Sequence, residues 1–63
     1  MKIDRFDMNG ERLKVGNIVR NKYTGEEFTV VFAKDILAFG IEDKNGHFEF
    51  MTDWVDLDWE VVA

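Results

Sequence analysis

Two Asn-Gly pairs constrain the fold of this chain more than any other feature. Asn9-Gly10 and Asn45-Gly46 each lie between runs in which apolar and polar residues alternate. Such a pair is the strongest short-range signal for a β-hairpin, because a type I′ turn requires positive φ at both of its central residues. The sequence therefore predicts two tight hairpins, and Tyr23-Thr24-Gly25 supplies a third turn signal.

The runs between these turns have the period of β-strands, with apolar residues at every second position. The residues predicted to face inward are Phe28, Val30 and Phe32; Leu37, Phe39 and Ile41; Phe48 and Phe50; and Val55, Leu57, Trp59 and Val61. The parity of this pattern changes between the last two groups, so an interruption is expected at Thr52-Asp53-Trp54, and Gly40 is expected to form a bend or bulge. We predict a mostly β fold, a small five-stranded SH3-like barrel with an extra N-terminal hairpin strand. An OB-like barrel is the alternative.

The chain is short for a folded domain. Its 63 residues are 46% hydrophobic and include six Phe and two Trp, which suits one core and leaves no room for a second. The absence of Cys excludes disulfides, and a single His leaves no ligand set for a structural zinc ion. We expect one domain over residues 1–63 without metal or cofactor, and self-association is one way to stabilise so small a core.

The sequence contains no feature that directs a chain to a membrane. No apolar run is long enough to span a bilayer, and residues 1–8 alternate charged and apolar side chains instead of forming the core of a signal peptide. Together with the absence of Cys, this pattern predicts a cytoplasmic protein without membrane association.

The net charge of −5 is unevenly distributed along the chain. Residues 1–22 carry six bases and three acids, whereas residues 23–63 carry two bases and ten acids. Most of the chain therefore repels a polyanion, and nucleic acid is not the expected partner.

The charge asymmetry also predicts which strands pair. Basic strands near the N-terminus are stabilised electrostatically when they lie beside acidic strands near the C-terminus. We therefore expect Ile18 to Asn21 to lie beside Trp59 to Val62, as the first and last strands do when such barrels close, and Arg20 to approach Asp58 or Glu60.

Two segments of the chain resemble a known group of proteins. The segment Asn9 to Val19, with the sequence NGERLKVGNIV, resembles small prophage-encoded proteins of the YopX-like group, in which an Asn-Gly turn precedes a Gly-Asp-Ile-Val strand start. Trp59 to Val62 is similar to the closing strand of that group. The chain has Asn17 where the group has Asp, and it lacks the Gly-Asn that follows the closing strand. The resemblance implies an SH3-like barrel of phage or prophage type, with no assigned chemistry.

No residues in the sequence form a catalytic or nucleotide-binding motif. His47 has no Ser or Cys in the chain to activate, so we predict a surface-turn histidine. Neither Gly-x-Gly-x-x-Gly nor Gly-Lys-Ser/Thr occurs. Asp56, Asp58 and Glu60 alternate with apolar residues, which is typical of the wet face of a strand and not of a calcium loop. The chain is therefore predicted not to be an enzyme.

Three hypotheses for function remain. The first is a non-enzymatic phage- or prophage-type accessory protein that binds another protein or itself, through a barrel edge or through Tyr23 and Trp54, which fall at turns. Parity places Trp59 in the core and leaves Trp54 at the rim. The second is a nucleic-acid-binding barrel that uses a local basic strip. The residues of this strip are Arg12, Lys14, Arg20 and Lys22. The third is an acidic mimic of nucleic acid that presents the face from Asp53 to Glu60 to a host protein.

Overall fold

The computed structural model describes residues 2–63, which form two antiparallel β-sheets. The elements in chain order are β1 (Lys2–Phe6), β2 (Arg12–Lys14), β3 (Ile18–Asn21), β4 (Glu27–Ala33), β5 (Ala38–Glu42), β6 (Phe48–Phe50), a 3₁₀ turn (Asp56–Asp58) and β7 (Trp59–Val61). Strands β1 and β2 form one sheet, and the other has the order β6-β5-β4-β3-β7. The predicted mostly β fold is confirmed. Within the described residues no helix has the length and apolar character needed to cross a membrane.

Both Asn-Gly hairpins form, but the type I′ turn predicted for them is wrong. Asn9-Gly10 joins β1 to β2, and Asn45-Gly46 joins β5 to β6. In each loop the glycine has positive φ, 78° for Gly10 and 83° for Gly46, whereas the asparagine does not. Each loop contains three residues between a hydrogen-bonded pair of residues, which is the geometry of a type I turn followed by a glycine bulge.

An aspartate at the start of each loop explains the turn type. The Oδ1 atoms of Asp7 and Asp43 accept the backbone N–H groups of the residues two and four positions later, at 2.8 to 2.9 Å. Such aspartate turns favour a type I turn over the next two residues, so the glycine alone needs positive φ. The two loops therefore share the pattern Asp-x-Asn-Gly.

The predicted pairing of β3 with the end of the chain is confirmed. Strand β3 runs antiparallel to β7, and Arg20 lies opposite Glu60. Arg20 also lies opposite Glu27 on β4, and its Nη2 atom makes a 2.6 Å ion pair with Glu27 Oε2. Arg20 therefore stands between two glutamates in one cross-strand row, and its close ion pair is with Glu27 instead of Asp58 or Glu60. The pair is half exposed, so its contribution to stability is small.

The core lies between the two sheets. Its buried side chains are Ile3, Leu13, Val19, Phe28, Val30, Ile41 and Met51. Ile3 and Leu13 come from the β1–β2 hairpin, and most of the others come from the larger sheet, so the hairpin covers one face of that sheet. Phe39, Trp54, Trp59 and Val61 are partly buried against this cluster.

Two of the groups of residues predicted to face inward contain exposed residues, so these predictions are partly wrong. In both places the chain forms a turn where a strand was expected. Val55 and Leu57 are 51% and 65% exposed, since a 3₁₀ turn at Asp56–Asp58 precedes β7 and breaks the period of two. Leu37 is 79% exposed and has a φ of 52°, because the turn after β4 extends through it. The interruption expected at Thr52-Asp53-Trp54 is present as a turn at its first two residues.

The inward orientation predicted for Phe48 and Phe50 is also wrong. They lie opposite Glu42 and Gly40, on the face of the sheet away from Ile41, and Phe50 is 58% exposed. Gly40 pairs regularly with residues on both sides and forms no bulge. The carbonyl oxygen of Glu49 and the Phe48 ring lie so close to Gly40 that a Cβ atom there would overlap both, which is why this position requires glycine.

Candidate functional site

The two edges of the larger sheet differ in whether they are covered. At the β7 edge, Val61 N–H donates to Asp7 Oδ2 at 2.9 Å, and Met8 N–H donates to Trp59 O at 2.8 Å. The loop of the N-terminal hairpin therefore satisfies backbone groups that an edge strand ordinarily leaves to solvent.

Asp7 is a buried carboxylate that holds this closed edge together. Its residue is 3% exposed, and its oxygens accept three backbone N–H groups, from Asn9, Glu11 and Val61. Burial acts to raise the pKa of Asp7, but the hydrogen bonds from Val61, Glu11 and Asn9 outweigh it and lower the pKa below its usual value. The carboxylate is therefore ionised at neutral pH and fully engaged in structure.

The β6 edge is open in the part of the chain that the structure describes. Strand β6 pairs with β5 alone. The bond from Asp43 N–H to His47 O, 3.1 Å long, makes these residues a hydrogen-bonded pair, and such pairs alternate along an antiparallel ladder. Glu49 is therefore hydrogen-bonded to β5, whereas the N–H and C=O groups of Phe48 and Phe50 point away from the sheet.

An apolar cleft of about 230 Å³ lies beside this edge. Its lining residues are Ile3, Arg5, Ala38, Phe39, Phe50, Met51 and Thr52. The cleft therefore separates β1 from the end of β6, and Arg5 supplies its one charged side chain. Its volume is below the range of pockets that hold small-molecule ligands, so it suits one or two side chains of a partner.

The two aromatic residues predicted to contact a partner have different surroundings. Tyr23 is 74% exposed in the turn between β3 and β4, with Lys22 Nζ 5.1 Å from its ring centre. Trp54 is half-buried, stacks on Trp59 at 4.8 Å, and donates its indole N–H to Phe6 O at 2.9 Å. Neither residue lines the cleft, and a partner contact through them stays a prediction.

The four residues of the predicted basic strip lie on different sheets. Arg12 and Lys14 belong to β2 in the smaller sheet, whereas Arg20 lies on β3 and Lys22 in the turn that follows it. Each arginine lies near an acidic residue. Arg12 Nη2 is 3.9 Å from Asp4 Oδ1, and Arg20 forms an ion pair with Glu27 of β4. The structure therefore divides the strip between two sheets.

The remaining polar candidates lie on exposed turns. His47 is exposed as predicted, with Nδ1 3.3 Å from Asp43 Oδ2. Of the acidic face, Asp53 and Asp56 are exposed and Asp58 is half-buried. Residues 2–63 contain no group of three His, Asp or Glu side chains placed to hold a metal ion.

No protein-family model matches the chain, and neither the curated proteins nor the solved structures gave a match. Inference about function therefore depends on the chain's own residues.

Sequence reasoning missed Glu49, Phe50 and the cleft beside them. One signal could have found them: the run from His47 to Phe50 is bounded by turn residues on both sides, and so short a strand is typical of a sheet edge. Alternation shows which residues of a strand share a face, but not which of the two faces lies on the core.

Proposed function

We propose that the chain is a cytoplasmic, non-enzymatic accessory protein of phage or prophage type that binds another protein at the open β6 edge. One observation supports the proposal most: the hairpin loop covers the β7 edge, while none of residues 2–63 covers the β6 edge, and Phe50 is exposed there. Natural proteins protect open edges, and an uncovered edge beside exposed aromatic surface is typical of an interaction site.

The larger sheet supports a finer assignment of the fold as an SH3-like barrel. Strands β3 to β6 form a meander, and β7 returns to pair with β3 after a 3₁₀ turn. In such barrels the first and last of the five strands lie side by side, as β3 and β7 do here. In this assignment the N-terminal hairpin lies outside the five strands of the barrel, and β6 and β7, at the two ends of the sheet order, are the strands between which it stays open.

A second copy of the chain is the alternative occupant of this edge. The domain is small and has no Cys, so its core alone gives it little stability. Covering an edge with a second copy would increase that stability. Nucleic acid has less support, because the net charge is −5 and the basic side chains are divided between the two sheets.

A pull-down with three forms of the protein tests the proposal. Tagged wild-type protein, Phe50→Ser and the control Tyr23→Ser are used as bait in a bacterial lysate, after circular dichroism has shown that each is folded. We expect proteins that are retained by wild type and Tyr23→Ser and lost with Phe50→Ser. Proteins retained equally by all three forms, or lost only with Tyr23→Ser, would contradict binding at the β6 edge. Light scattering on the free protein reports self-association as a mass above 7.4 kDa.

A further inference from the structure

We propose that the β6 edge accepts an extended segment of a partner protein as an added β-strand, and that this segment carries Lys or Arg between two apolar residues. The inference rests on the proposed function and specifies the partner's recognised segment. It follows from the backbone of β6, from its aromatic side chains and from its one charge.

The backbone of β6 has the phase that strand addition needs. Because Glu49 is bonded to β5, the N–H and C=O groups of Phe48 and Phe50 point outward at a spacing of two residues. An extended segment presents its own N–H and C=O groups at the same spacing, and peptide recognition by strand addition uses such main-chain bonds for affinity.

The aromatic side chains of β6 select apolar neighbours. The rings of Phe48 and Phe50 lie on one face with centres 5.2 Å apart, and the cross-strand row Val31, Gly40, Phe50 ends at the open edge. Residues directly opposite one another in an antiparallel pair contact on the same face. Apolar residues opposite Phe48 and Phe50 would therefore cover the exposed ring surface.

The charge of β6 selects a basic residue between them. Glu49 is exposed on the other face of the strand, and no ion pair involves it among the described residues. The whole chain carries a net charge of −5. Opposite charges at facing positions of neighbouring strands stabilise the pair, and like charges destabilise it, so Lys or Arg is the residue expected opposite Glu49.

The same charge disfavours a second copy of the chain as the added strand. If two β6 strands pair antiparallel so that Phe48 lies opposite Phe50, Glu49 of one copy lies opposite Glu49 of the other. Like charges at facing positions are destabilising, and charges on edge strands commonly prevent edge-to-edge pairing. This is the register that pairs all three β6 residues of both copies, so its repulsion favours a partner of different sequence as the occupant.

Selection from a phage-displayed library of short random peptides tests the inference. Wild-type protein and Glu49→Lys are screened in parallel, with Glu26→Lys as a control that makes the same charge change in an exposed turn. We expect apolar-basic-apolar sequences with wild type and apolar-acidic-apolar sequences with Glu49→Lys. Peptides selected on wild type should bind Glu49→Lys roughly tenfold more weakly, as expected for exchanging an attraction for a repulsion, and bind Glu26→Lys unchanged.

Amide exchange measured by NMR on the wild-type complex identifies strand addition directly. The amides of Phe48 and Phe50 should exchange more slowly by at least an order of magnitude when the best peptide is bound, while that of Glu49 is protected with or without it. Unchanged exchange at Phe48 and Phe50 would overturn strand addition.

The outcomes separate this inference from the proposed function. Peptides that bind Glu49→Lys as well as wild type but lose binding in Phe50→Ser would overturn recognition of a basic residue and leave protein binding at β6 in place. Peptides that bind Phe50→Ser unchanged, or a screen without enriched sequences, would overturn both.

Discussion

Asp7 Oδ2 accepts a 2.9 Å hydrogen bond from the backbone N–H of Val61, a residue 54 positions later in the chain. The other oxygen of the same carboxylate fixes the loop of the first hairpin. Asp7 therefore forms one loop and attaches it to the last strand. This closes the β7 edge, so that within the described part of the chain β6 is the free edge of the sheet.

Replacing Asp7 with Asn should destabilise the fold strongly. The amide retains one acceptor oxygen, but its NH₂ group cannot accept the bonds that the second oxygen accepts, so at least one part-buried N–H group loses its partner. We expect a loss of about 1.5–3 kcal/mol in the free energy of unfolding, measured by urea denaturation at neutral pH. Asp43→Asn is the matched control, since Asp43 forms the same loop without a bond to a distant strand. A loss in Asp7→Asn no larger than that in Asp43→Asn would contradict the role of the Val61 bond.

The lowered pKa of Asp7 predicts a pH dependence of stability. Its pKa in the folded state lies below the usual value of 3.8 for an aspartate, so its contribution to stability is present above about pH 3.8 and is lost as the pH falls through the folded-state pKa. Urea denaturation of wild type and Asp7→Asn over the acidic range should show the difference between them shrinking below pH 3.8. A difference that stays constant down to the lowest pH would show that the Asp7 charge makes no contribution.

The stacked tryptophans should differ in their importance for stability. Trp59 packs on both Trp54, at 4.8 Å, and Phe28, at 5.5 Å, whereas Trp54 packs on one of these rings and bonds to Phe6 O. We expect Trp59→Ala to cost about 3 kcal/mol or more and Trp54→Ala less, in thermal or urea melts. Trp54→Phe keeps an aromatic ring and removes the hydrogen bond, so it should cost about 1 kcal/mol. If Trp54→Ala destabilises the protein more than Trp59→Ala does, Trp54 is the more important of the two stacked rings for stability.

Gly40 should not tolerate a side chain. An added Cβ would overlap the ring of Phe48 and the carbonyl oxygen of Glu49, so Gly40→Ala should destabilise by about 1–3 kcal/mol in urea denaturation. The same substitution made in Phe48→Ala should cost less, because the ring is then absent. If Gly40→Ala lowers the free energy of unfolding equally in wild type and in Phe48→Ala, the Phe48 ring is not the reason why position 40 requires glycine.

Local sequence signals predicted much of the fold. The Asn-Gly pairs predicted two hairpins, because a turn depends on residues that are neighbours in sequence. The distribution of charge predicted that β3 lies beside β7, because it sums over many residues. The pattern Asp-x-Asn-Gly occurs twice and identifies the turn type, so that correction was available from the sequence.

The candidate site could not be predicted because it depends on which surfaces remain uncovered. The alternation of Phe48 and Phe50 is the same whether they face the core or solvent, and only the register opposite Gly40 and Glu42 decides between these. The exposure of Leu57 likewise follows from a 3₁₀ turn that a period of two does not reveal. The closed β7 edge depends on a bond between residues at opposite ends of the chain.

Hydrogen exchange of the free protein distinguishes a sheet with one closed and one open edge from a sheet whose two edges are both covered. Backbone amides that are bonded within the structure exchange slowly, and those that face solvent exchange fast. We predict a protected amide at Val61, which donates to Asp7, and at Glu49, which pairs with β5, and unprotected amides at Phe48 and Phe50. Protection of Phe48 and Phe50 as strong as that of Glu49 would show that the β6 edge is already covered and would rule out an open edge there.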